Sequence, residues 1–97
     1  MKTFEILVTG RVQKVGFRAW TRKIAVDLNI VGTVTNLTNG KVQIFATADP
    51  IILEKFISML YSCPRSVIRN VRITEIPPRT FTDFSIIKSE GRVSTLL

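Results

Sequence analysis

Apolar residues alternate with polar ones along residues 4–9, and the alternation ends at Gly10. That period of two predicts a strand with one face buried. From residue 19 to about 29 the period changes: Trp20, Ile24 and Leu28 recur every four residues with Ala25 beside them, which predicts a helix with one apolar face. Two further strands follow at 31–37 and 41–48, separated by Thr38-Asn39-Gly40, and Asn-Gly between alternating runs signals a hairpin. Asp49-Pro50 opens a second helix, since Asp suits an N-cap and Pro the first helical position. Its apolar face reads Ile52, Phe56, Met59, Leu60 and Cys63, and Pro64 ends it. Residues 71–76 form a fourth strand that Ile68 and Arg69 could extend, Pro77-Pro78 stops it, and 83–88 form a short fifth. Residues 89–97 carry no clear element.

The order strand, helix, strand, strand, helix, strand is that of the split βαβ, ferredoxin-like α+β fold. Both helices are crossovers, so both cover one face of one antiparallel sheet. The first strand lies centrally and pairs with the third, which carries the end of the second strand toward the loop after the first. Within 97 residues the pattern fits a single domain, with a core of about 3–88 and a tail of 89–97.

Composition narrows the chemistry. The chain has no histidine and one cysteine, Cys63. A Ser-His-Asp triad, a Cys-His pair, the usual zinc sets and an internal disulfide are therefore all excluded. Cys63 itself reads as a small buried hydrophobe. No apolar run approaches a membrane span, and the start of the chain does not read as a signal peptide; the expected location is the cytoplasm, with no membrane partner. The net charge of +7 suits an anionic partner, but the cations are scattered. Their first cluster, Arg11, Lys14, Arg18, Arg22 and Lys23, coincides with the turn between the first strand and the first helix.

That turn holds the most informative residues. Gly10-Arg11-Val12-Gln13-Lys14-Val15-Gly16-Phe17-Arg18 places two glycines and four cationic or amide side chains where a strand gives way to a helix. Such a loop aims backbone N–H groups at one point, and the helix N-terminus adds partial positive charge, so the expected ligand is a phosphate. Arg18 at the helix start can grip two oxygens with its planar fork. Asn36, near the end of the second strand, can orient a water. No strong base accompanies them, so the substrate must be reactive in itself or must supply its own base, and a mixed carboxylic–phosphoric anhydride meets that requirement.

The stretch from Gly10 to Arg18 resembles the signature loop of the acylphosphatase family. Gly32-Thr33-Val34-Thr35-Asn36, followed by Asn39-Gly40, resembles that family's second motif. The likeness runs from the first strand to Phe84-Ser85-Ile86. It implies hydrolysis of a small acyl phosphate to a carboxylate and inorganic phosphate, with no metal and no cofactor. It implies that Arg18 binds the phosphate and is catalytic with Asn36, which orients the attacking water. It also implies that Val12, Gln13, Lys14, Val15, Gly16 and Phe17 form the loop whose N–H groups hold the phosphate. Lys14 stands where the family commonly has glycine, so a positive φ and some strain are expected there. Arg11 reads as a surface residue, Phe17 and Trp20 as core.

Two other readings fit the same fold. One is a non-catalytic anion-binding or regulatory domain. The other is an RNA-binding sheet, but the third strand lacks the glycine and paired aromatics of such a surface, and only Phe45 could stack on a base. Nucleic acid is therefore not the expected partner.

Overall fold

The computed structural model describes residues 1–88. The elements run β1 (Lys2–Arg11), α1 (Phe17–Asp27), β2 (Val31–Asn36), β3 (Val42–Ala48), α2 (Pro50–Leu60), β4 (Val67–Ile76) and β5 (Phe84–Ile87). They form one five-stranded sheet in the order β4-β1-β3-β2-β5. This is the ferredoxin-like α+β arrangement, with β1 paired to β3 as the pattern required. The tail 89–97 lies outside the described residues. Among the described residues no helix is long and apolar enough to cross a membrane.

One expectation is corrected. The sheet is mixed, not antiparallel, because β5 joins the free edge of β2 in parallel register, Gly32 opposite Phe84 and Val34 opposite Ile86. β4 occupies the opposite edge, so the connection over residues 77–83 has to traverse the sheet before β5 begins. That crossing fixes the direction in which β5 arrives. Arg79 marks the route: its backbone N–H donates to Thr3 Oγ1 at 3.4 Å, and its guanidinium lies 4.4 Å from the Phe45 ring centroid and 5.4 Å from that of Phe81. The face of Phe45 is thus covered by a cation of its own chain.

The period-two pattern sorts the strands into two faces. Phe4, Ile6 and Val8 of β1 and Val42, Ile44, Ala46 and Ala48 of β3 are buried under the helices. α1 adds Phe17, Ile24 and Ala25, and α2 adds Leu53, Phe56 and Leu60. Phe56 and Phe84 meet edge to face at 6.3 Å, joining α2 to β5.

The buried stripe of α1 centres on Phe17, Thr21, Ile24 and Ala25, while Trp20 and Leu28 flank it half-buried. Thr21 tolerates full burial because its hydroxyl donates to the Phe17 carbonyl at 2.8 Å. Trp20 satisfies its indole N–H on the Met59 carbonyl at 3.1 Å, which ties α1 to α2.

Helix ends differ from the sequence pattern at the start of α1 and at the end of α2. α1 starts at Phe17, two residues early, because Gly16 takes a left-handed N-cap conformation (φ 81°). α2 stops at Leu60, so Cys63 is not on the helix. It is buried in the turn beyond, where the following Pro64 disfavours helical geometry. Asp49 holds the N-cap position of α2 without a side-chain cap bond, its carboxylate lying 3.8 Å from the terminal ammonium of Met1.

Candidate active site

β1 ends at Arg11, and the next five residues bend sharply before α1 begins at Phe17. Val12 is buried and anchors the start of this loop, and Phe17 is buried and anchors its end. Between them the chain needs two left-handed residues, Lys14 (φ 64°) and Gly16 (φ 81°). A lysine pays for such a φ in local strain of about 1 kcal/mol, a glycine does not. Among the described residues, the backbone N–H groups of Gln13, Lys14, Val15 and Gly16 donate to no carbonyl. The first N–H groups of α1 are likewise free of intrahelical partners. The loop is therefore a concentration of open donors at the positive end of a helix.

Gln13 secures the loop from the side. Its Nε2 donates to the Leu37 carbonyl at 2.8 Å and to the Lys41 carbonyl at 2.9 Å. These carbonyls close the β2–β3 connection, where Leu37 N–H also donates to Lys41 O and Gly40 N–H to Leu37 O. One amide thus locks the loop onto the hairpin that carries Asn36.

Arg18, the second residue of α1, donates from Nη1 to the Lys88 carbonyl at 3.2 Å. Arg22, one turn on, donates from Nε to the Phe84 carbonyl at 3.2 Å. The two arginines hold both ends of β5 against α1. Among the described residues the other guanidinium donors of Arg18 meet no acceptor.

A cavity of about 370 Å³ opens at this point, lined by Val12, Lys14, Gly16, Phe17, Arg18, Ala19, Asn36, Ile86 and Lys88. Asn36 Oδ1 is buried and has no hydrogen-bond partner among the described residues. An unpartnered buried acceptor is costly and rare.

Six of the residues singled out in the sequence thus share this wall: Val12, Lys14, Gly16, Phe17, Arg18 and Asn36. Two do not. Gln13 turns to the hairpin, and Val15 packs against the core and lines a neighbouring hollow with Trp20 and Cys63. Sequence reasoning missed Ile86 and Lys88. Their place depends on the parallel pairing of β5 with β2, which no local pattern signals.

Comparison with known proteins gives the same direction. A family model described as Acylphosphatase matches residues 4–86. The chain belongs to the acylphosphatase family. An acylphosphatase of Treponema denticola is 39% identical over 87 residues, covering 89% of this chain and 93% of that protein. One from Lactobacillus johnsonii is 44% identical over 91 residues, with 90% and 99% covered. The crystal structure of acylphosphatase from Bacillus subtilis superposes with a TM-score of 0.85 at 31% identity, covering 90% of this chain and 99% of that one. Family and fold together make this chain an enzyme of acyl phosphate hydrolysis, with a small acyl phosphate as substrate and phosphate as product.

Proposed function

We propose that the phosphate of the substrate sits in the loop from Val12 to Arg18 and that water held by Asn36 attacks it in line. The observation that carries this reading is the convergence of Arg18, Asn36 and the open-donor loop on one cavity. Backbone N–H groups of residues 12–17 and the Arg18 fork bind the phosphoryl oxygens. They neutralise charge as it develops, and they are already in place before reaction, so no reorganisation is needed. Asn36 Oδ1 accepts a hydrogen bond from the water, which turns the water's lone pair toward phosphorus.

The water oxygen forms its bond to phosphorus as the bond to the acyl oxygen breaks. The leaving group is a carboxylate, whose parent acid has a pKa of about 4, so it departs without a general acid. The water's proton passes to a phosphoryl oxygen. The products are a carboxylate and inorganic phosphate, and every group invoked belongs to this chain or its substrate. The chain acts as one unit with its core over about 3–88, and a lone cysteine in a buried turn fits a cytoplasmic setting.

The rival of base stacking on the sheet loses its main support, since Phe45 is covered by Arg79. The test is phosphate release from acetyl phosphate by the parent, Arg18→Ala and Asn36→Ala. Turnover by the parent, with both variants folded and at least 100-fold slower, is expected. Variants as active as the parent would overturn the residue assignment, and a folded but inert parent would favour the non-catalytic reading.

A further inference from the structure

The opposite side of the sheet, at the same end, carries a second hollow of about 280 Å³ that the hydrolytic reaction does not use. Arg11, Lys41 and Arg69 line it together with Thr9, Asn39 and Gly40. Three cations from three separate strand ends converge on one concavity, and none of them meets a carboxylate among the described residues. The ion pairs among the described residues use Met1, Lys2 and Lys23. The lining itself contains neither aspartate nor glutamate.

This convergence is built by a backbone irregularity. Thr9 pairs with Asn70 and Gly10 with Ile68, so Arg69 is an extra residue with no partner on β1. Ile68 and Val71 both pack on the core side. Counted back from Val71, strict alternation would put Arg69 on that apolar side. The bulge turns it to the open face instead. Gly10 is what allows the bulge: a Cβ there would collide with the Val67 carbonyl and lie 2.9 Å from the Arg69 nitrogen. Arg11 follows directly, at the exposed end of β1. Lys41 precedes the buried Val42, and its N–H is held by Asn39 Oδ1 at 3.0 Å, which sets the hairpin as the remaining wall.

We propose that this hollow is a second anion site, and that it takes a compact oligophosphate such as pyrophosphate or the phosphate chain of a nucleotide. Two guanidinium forks and an ammonium around a small concavity match several phosphoryl oxygens at once. The volume suits a small oligoanion. A nucleic-acid strand needs an extended track with stacking platforms, and on the open face Arg79 lies over both Phe45 and Phe81. The site is distinct from the catalytic cavity, yet Lys41 belongs to both neighbourhoods: it lines the hollow, and its carbonyl receives the Gln13 amide.

The test is a pyrophosphate titration of the 15N-labelled protein at fixed ionic strength, followed by amide shifts. Saturable shifts at Gly10, Asn39, Gly40 and Arg69 are expected, and they should persist in Arg18→Ala. Arg11→Gln/Arg69→Gln should weaken this binding at least 10-fold while phosphate release from acetyl phosphate stays within two-fold. Lys23→Gln/Lys55→Gln removes the same charge elsewhere and should change the affinity less than two-fold. If the double variant loses its folded spectrum, Arg11→Gln alone carries the test, with at least a three-fold weakening expected. Equal weakening by the lysine control, shifts confined to residues 15–18, or the same shifts produced at lower concentration by single-stranded RNA would each overturn the proposal.

Discussion

Gln13 donates its side-chain amide to the main-chain carbonyl of Leu37 at 2.8 Å, across the gap between the phosphate loop and the hairpin. Leu37 directly follows Asn36, so this bond sets the distance between the two halves of the candidate site. Gln13→Met keeps the length of the side chain and removes both donors. The two carbonyls keep their hairpin partners, so neither is orphaned. A loss of about 1–2 kcal/mol is expected, seen as a fall of several degrees in Tm. The fall in kcat/KM for acetyl phosphate should exceed what that stability loss explains, by about 10-fold, because loop and water site drift apart. Unchanged kinetics in a destabilised variant would reduce Gln13 to a structural strut.

Asn36 shows the opposite balance. Its buried Oδ1 has no partner among the described residues, so the folded state carries an unsatisfied acceptor. Asn36→Ala should therefore leave Tm unchanged or raise it slightly while turnover is lost. Differential scanning calorimetry beside the phosphate-release assay separates the two effects. A clear drop in Tm would mean that the side chain stabilises the fold.

Arg18 is held by the Lys88 carbonyl, and its fork geometry matters as well as its charge. Arg18→Lys keeps the charge but not the planar pair of donors. KM for acetyl phosphate should rise 10-fold or more, and inhibition by inorganic phosphate should weaken in parallel. Equal kinetics in the two proteins would show that a point charge suffices.

Lys14 holds φ at 64°, where a side chain is disfavoured. Lys14→Gly should raise stability by up to about 1 kcal/mol and keep activity within a few fold. Lys14→Val, β-branched at the same φ, should lower both. Chemical denaturation of the three proteins orders them. A large loss of activity in the glycine variant would assign Lys14 a contact with substrate.

Arg79 lies between Phe45 and Phe81 on the open face, away from the loop. Arg79→Ala should cost about 1 kcal/mol and leave kcat/KM unchanged. It also uncovers Phe45, so any gain in affinity for single-stranded RNA would identify Arg79 as the group that blocks stacking.

Much of this protein was legible in the residue order. Period-two and period-four hydrophobic spacing, Asn39-Gly40 and Asp49-Pro50 specified the elements, because strand alternation, helix faces and turn chemistry are local properties. The glycine-bearing loop and the lack of histidine confined the chemistry to electrostatics for the same reason. What tertiary structure decided was everything that depends on residues distant along the chain. β5 lies parallel to β2, which brings the Lys88 carbonyl to Arg18, 70 positions away. Gln13 reaches the hairpin instead of the phosphate cavity because two carbonyls there lie within reach. A bulge opposite Thr9 and Gly10 turns Arg69 to the open face. Strand pairing, edge choice and bulges follow from how whole faces pack, and no window of neighbouring residues contains that information.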